Sequence, residues 1–444
     1  MRKATTKRGA GQRCPTEAIR VEIRSMNLAT PLSRLPRRLG DVLRDNRQAI
    51  AVVQWAFVVL YLVLLIVPAL VPADDANGGV LHSLGRFAEA LFWGVWWPGV
   101  ILSVMLIGQF WCGLLCPDGT LTEFASRHGR GGKIPGWLRW PALPLAAFAV
   151  ITIFEYALQA HDTPRGTLLA IGTMTAFALA CGVFVGRGKR VWCRYACPVG
   201  GVFSLLARCA VLHFSVDRAA WDAAPRPVPK PVDCPALLDI RRLRSNEKCN
   251  MCARCSGHRN AVALAWRTPG QEIAALREDE ARPWEAAGIV FVLIGLLYGA
   301  LHWQHSPWHH ALLARGLPAM PAAVAAVLLP TLVLGGGTAL LLAVASGGRR
   351  LTATRLAYAL IPLGGFGLFL GAMEHALHIL HDEGFVVAPL LPWLRAAVLL
   401  PATLWSAHAG CAILGDGTVA RTGFIAGSAV LALAWQFAPH SFAA

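Results

Sequence analysis

The sequence predicts an all-α polytopic membrane fold, on three observations: composition, long apolar runs, and the placement of basic residues between them. Of 444 residues, 55% are hydrophobic and 15% charged, too few polar residues to coat an ordinary soluble chain of this length. The apolar residues gather in runs close to the about 20 that cross a bilayer core. The net charge of +16 lies mostly between those runs, where lysine and arginine set membrane orientation. Membrane lipid is therefore the expected surroundings, and no nucleic-acid partner is expected.

About nine transmembrane helices are predicted, over 49–71, 88–109, 141–159, 167–186, 286–303, 318–345, 356–380, 396–414 and 422–437. The stretch RLPRRLGDVLRDNR before the first is too long and too charged for a simple signal peptide, so residues 1–48 are expected to be a basic cytoplasmic tail. Basic residues follow the second span (Arg127, Arg130, Lys133, Arg139), the fourth (Arg187, Lys189, Arg190) and the sixth (Arg349, Arg350, Arg355). They place these loops with the tail on the cytoplasmic side of a bacterial inner membrane, and the poorly basic PADDANGG and QAHDTPR outside. Trp96, Trp97 and Trp303 are expected in the aromatic belt. Three units result: a four-span half over 49–204, a polar insert over 205–285, and a five-span half over 286–444.

Eight of the twelve cysteines fall in ligand spacing, which points to metal and a reducing compartment rather than disulfides. In KCNMCARCSGHR, Cys249, Cys252 and Cys255 form C-x2-C-x2-C, the loop in which three thiolates converge on three irons of a cubane. A bacterial ferredoxin loop continues with a fourth cysteine; here Arg259 stands there. The fourth ligand of such a cluster comes from a distant Cys-Pro, and Cys234-Pro235 supplies one. The insert thus reads as a small ferredoxin-like unit holding one 4Fe-4S cluster; a structural zinc site would ordinarily show two separated C-x2-C pairs.

FWCGLLCPDG and VWCRYACPVG repeat the frame W-C-x-x-x-C-P-x-G. The i, i+4 spacing puts Cys112 and Cys116 on one helical face, likewise Cys193 and Cys197, and each proline is expected to stop its helix at the cytoplasmic end of a span. The repeat extends into DGTLTEFASR and VGGVFSLLAR, sharing the glycine and the final arginine, so a duplicated hairpin is expected to bring four thiolates to one site. That site suits a second cluster, copper, or redox-active thiols. Cys14, Cys181, Cys209 and Cys411 have no partner by pattern.

Two C-x3-C-P motifs followed by a ferredoxin-like insert resemble the membrane-bound 4Fe-4S proteins of the NapH and NosR type, over about 49–269. The resemblance implies 4Fe-4S binding and transmembrane electron transfer, as a quinol dehydrogenase or electron donor to nitrate and nitrous oxide reductase systems. Those relatives usually carry two complete ferredoxin motifs where this chain has half that count. No flavin-binding domain of the kind NosR carries is recognised in the sequence.

The five-span half carries EHALHILHDE, with His375, His378 and His381 on one helical side, and LHWQHSPWHH, with His302, His305, His309 and His310 at the same level. His375 and His378 are candidate ligands for haem or copper, or proton acceptors from a quinol; the alternative is interfacial histidine. Glu155 and Glu374, ionisable residues in or near spans, are functional candidates by default, with solvation near the outer span ends as the alternative. The expected function is electron transfer between a cytoplasmic-side 4Fe-4S cluster and a membrane or outer-side partner: quinone or quinol, or a redox protein of a respiratory or denitrification-type system. The rival is an accessory factor that handles copper or senses redox state.

Overall fold

The computed structural model describes residues 31–71, 80, 83–224 and 231–440; Cys14 and most of the predicted tail lie outside them. Among the described residues, eight helices are long and apolar enough to cross a membrane: Arg47–Leu70, Leu84–Ile107, Pro164–Phe184, Pro283–His302, Ala319–Ala345, Arg350–Asp382, Ala388–Leu414 and Thr418–Gln436. The predicted third span is instead the 15-residue helix Leu143–Ala157, about 22 Å long against a core of about 30 Å. Pro144 lies in its first turn, and the chain leaves it at Gln159 with φ +50°.

Arg350–Asp382 is the axis of the bundle, with 89% of its apolar window buried, against 22–33% for most of the others. Glycines along it admit its neighbours: a side chain on Gly365 would meet Met105 and Leu206 within 3 Å, and one on Gly367 would meet Trp435. Small residues at such crossings let helices approach without a penalty in packing. Residues of both halves, Val100, Leu206, Leu293, Tyr358 and Trp435 among them, share one apolar core. The outer faces of the surrounding helices stay apolar and open, as at Val52, Leu332, Val344 and Leu400, which is the surface lipid would cover.

The polar insert has a core of its own, formed by Leu212, Phe214, Ile240, Cys249, Met251, Val262 and Leu264. Strands β1 (Leu212–Val216) and β2 (Val262–Trp266) pair antiparallel in a register of Leu212 with Trp266 through Val216 with Val262. Their alternation turns Leu212, Phe214, Val262 and Leu264 to one face. Residues 31–45, read from the sequence as part of a tail, form the helix Pro31–Asp45, which lies against the insert. Gly40 sits over Ser256 and Leu264, Arg44 Nη1 donates to Ser256 O at 2.8 Å, and Ser256 Oγ donates to Asp41 at 2.9 Å.

The two repeats depart from expectation in a way that decides the site. The prolines begin helices rather than end them: Pro117 opens Pro117–His128 and Pro198 opens Pro198–Leu206. Proline suits that first position, where its missing N–H has no partner to lose. Cys112 lies on the short turn Phe110–Leu114 and Cys193 on Trp192–Ala196, so the helix breaks between the two cysteines of each motif. Each repeat therefore dips into the bundle and climbs out on a short helix.

Candidate metal centres

The insert gathers Cys234, Cys249, Cys252 and Cys255 into one group. Burial pushes the Cys249 thiol up to about 12, with Cys252 and Cys234 adding as like-charged neighbours against the Met251 amide. Cys255 and Cys234 are raised for the same first reason. Buried thiols so placed ionise readily only on a cation. Met251 and Ala253, fully buried between the cysteines, hold φ of +52° and +57°, and Leu237 beyond Cys234-Pro235 holds +57°. Non-glycine residues there cost roughly 1–3 kcal/mol each, the expense of turning amides and thiols toward one point. Arg259, in the place of a fourth cysteine, turns away onto Trp221, its guanidinium 4.9 Å from the ring centroid.

Cys112, Cys116, Cys193 and Cys197 line one cavity of about 140 Å³ inside the bundle, each within electrostatic reach of the others. The site is recessed rather than at the end of the spans. Asp118, two residues past Cys116, accepts from Thr175 Oγ1 at 2.8 Å, and Thr175 meets Tyr61 Oη at 2.5 Å. Thr175 lies eight residues inside Val183, whose carbonyl receives Arg130 N at the insert end of Pro164–Phe184. Eight residues are about 12 Å of helix. The glycine shared by the repeats also acquires a reason. Gly200 N donates to Cys197 Sγ at 3.4 Å, Gly119 N faces Cys116 in the same way, and a side chain on Gly119 would meet Cys112 O at 3.2 Å.

The two thiol groups stand back to back. A side chain on Gly113 would lie 1.9 Å from Asn250 O and 2.9 Å from Cys252 N, so the residue after Cys112 touches the backbone between Cys249 and Cys252. A buried ion group clamps this contact. Arg190, 2% exposed, donates from Nε to Glu123 at 2.7 Å and from Nη1 to Cys112 O at 2.8 Å. Arg254, between Cys252 and Cys255, reaches Glu123 at 2.5 Å. Glu123 belongs to the first repeat, Arg190 precedes the second, and Arg254 belongs to the insert. A second group ties the insert to the spans: buried Arg208 meets Glu247 at 2.9 Å and Glu285 at 3.0 Å, and Tyr358 Oη donates to Glu285 at 2.7 Å.

Among the described residues no three His, Cys, Asp or Glu side chains are placed to hold a single metal ion. A mononuclear zinc needs its thiolates about 2.3 Å from one point, whereas a cubane takes each thiolate on a separate iron. Two all-thiol groups suit iron-sulfur clusters by donor type.

The other sequence-derived candidates are placed as follows. His305 and His378 stack at 6.5 Å between ring centroids and, with His375, Glu374 and His440, line a cavity of about 100 Å³ at the end of the bundle far from the insert. His375 Nε2 lies 3.6 Å from Glu89. His302 is 2% exposed and edge-on to Tyr298 and Trp435, with Nδ1 3.9 Å from Glu374. Glu374 is not a solvated end group: it pairs with buried Arg395 at 2.7 Å. Nor do the three tryptophans form a belt. Trp303 packs inside the bundle, and Trp96 and Trp97 line the thiol cavity with Glu155 and Tyr156. Sequence reading missed Gly113, Glu123, Arg190 and Arg254. The available signal was Glu123, a charge within one apolar repeat where the other has Ser204.

A family model described as a 4Fe-4S binding domain matches the chain twice, over 89–135 and 169–217. Those segments hold the two C-x3-C-P motifs. The chain is 25% identical over 252 residues to the putative electron transport protein YccM of Escherichia coli, covering 50% of this chain and 69% of that protein. It is 27% identical over 181 residues to protein NirI of Paracoccus denitrificans and 24% over 178 residues to the regulatory protein NosR of Pseudomonas aeruginosa. Each of these two alignments covers 36% of this chain, but only 26% of NirI and 25% of NosR. No solved structure matches. The resemblance to membrane-bound iron-sulfur proteins of the NapH and NosR type is borne out.

Proposed function

We propose that this chain is a membrane electron-transfer protein with two 4Fe-4S clusters, one held by Cys234, Cys249, Cys252 and Cys255 and one by Cys112, Cys116, Cys193 and Cys197. The observation that carries the reading is the contact of Gly113 with the backbone at Asn250 and Cys252, which brings the chain next to Cys112 directly against the insert loop. When bound, clusters supply one-electron storage at each site. The chain's own residues fix the spacing through Gly113 and hold it through Arg190, Glu123 and Arg254. Around the recessed thiols, Trp96, Trp97 and Phe148 make an apolar wall, with Asp118, Glu155 and Tyr156 as polar groups. Such a wall suits a lipid-soluble carrier of quinol type, with the carboxylates as proton acceptors. The basic loops at the insert end support a cytoplasmic insert, so electrons pass between a soluble-side partner and the membrane.

Iron and sulfide analysis of the purified chain, with EPR after reduction, tests this. About eight iron and eight sulfide per chain are expected, and Cys193→Ser removes the recessed signal while the insert signal stays. Zinc with no reducible signal overturns the reading. Stoichiometric copper lost on Cys193→Ser would instead favour metal delivery.

A further inference from the structure

A pocket of about 540 Å³ opens at the insert end, between the insert, the second repeat and the starts of Leu143–Ala157 and Pro283–His302. Its wall carries Arg139, Arg194, Arg244 and Lys248, with Trp140 and Trp284 beside them. The carboxylates on the wall are engaged already: Glu247 by Arg208, Arg282 and, at 3.7 Å, Lys248, Asp239 by Arg242, and Glu280 by the Arg277 amide. Arg139, Arg194 and Arg244 have no acidic partner among the described residues. Arg194 Nη1 is moreover buried without a hydrogen-bond partner there. Leaving a charged donor unsatisfied costs more than a neutral one, and clustered like charges add to that cost. An anion with several acceptor oxygens relieves both.

We propose that this pocket binds a phosphate group, held by Arg139, Arg194, Arg244 and Lys248, with apolar substance lying along Trp140 and Trp284. The same chemistry is offered by the head group of an anionic phospholipid and by a soluble phosphate. The position at the start of the span Pro283–His302 and of the shorter apolar helix Leu143–Ala157, with half-exposed Trp140 at the rim, suits the lipid: basic pockets between helices at this level take such head groups.

Thermal unfolding of the full purified chain in detergent tests the site, with phosphatidylglycerol, phosphatidylcholine or inorganic pyrophosphate added. Phosphatidylglycerol raises Tm by about 2–4 °C, phosphatidylcholine does not, and Arg194→Gln with Arg244→Gln removes at least half of the rise. Arg218→Gln, an exposed insert arginine that does not line the pocket, keeps it. Pyrophosphate matching the effect identifies a soluble phosphate as the source. Where the double variant fails to fold, Arg244→Gln alone is read the same way, since its side chain is exposed and unpaired among the described residues. No rise with either phosphate, or an equal rise in the variants, overturns the proposal.

Discussion

The two thiol groups are built on opposite plans. The insert's cysteines come from one stretch, Cys234 to Cys255, and a strained local loop aims them. The recessed cysteines come from two copies of a repeat, and only the packing of short helices against Pro164–Phe184 and Leu143–Ala157 brings the copies together. The repeats have also diverged at their shared arginine. Arg127 is exposed beside Glu123, whereas Arg208 is 2% exposed in the ion group that anchors the insert. A local site is lost through its ligands, a packed one through residues that touch no ligand.

That contrast is tested most severely at Glu123. Glu123→Gln leaves buried Arg190 and half-buried Arg254 without their carboxylate, and breaking a buried pair in this way costs about 3–5 kcal/mol. Thermal unfolding is expected to fall accordingly, with iron lost from the recessed group before the insert; equal loss from both would remove the distinction. Next is pH. Burial, with Arg267 nearby, pushes His213 in β1 down to about 4 from 6.5. Between those values the unfolded chain binds the proton and the folded insert does not, so stability falls as pH drops from 6.5 toward 4 and levels off below. The loss is at most about 3 kcal/mol. Melting curves should show it, and His213→Gln should flatten it.

Gly113→Val forces the two groups apart, with an overpacking cost of about 1–3 kcal/mol. The sharper readout is the magnetic interaction between the two reduced clusters, expected to weaken in EPR; an unchanged spectrum would deny Gly113 its spacing role. The smallest effect belongs to Arg44→Ala, which removes the bond to Ser256 O for about 1 kcal/mol. Faster release of iron to a chelator from the insert alone is the expected sign that Pro31–Asp45 guards that site.

The grouping of the insert cysteines was legible because C-x2-C-x2-C is a local pattern whose geometry hardly depends on the rest of the chain. The duplication was legible from W-C-x-x-x-C-P. Its depth was not, because a proline after cysteine reads equally as the end of one helix or the start of the next, and only neighbouring helices select between them. Length misled at Leu143–Ala157, where an apolar run of 19 residues yields 15 in the helix. Tryptophan and glutamate near span ends were assigned to the interface by position alone. Trp303 and Glu374 instead face inward, since the helices' rotation is set by glycines such as Gly365 and Gly371 that no single-span reading locates.

By itself the sequence determined eight of the nine predicted spans, the grouping of the cysteines into two sets and the repeat, since each rests on composition or spacing within short segments. Tertiary structure alone decided that the repeats turn back inside the bundle, that Gly113 meets the insert loop, and that Glu123 joins Arg190 to Arg254. Those residues are 67 and 131 positions from Glu123. Contacts over such separations depend on the free energy of the whole packed bundle, and no local propensity encodes them.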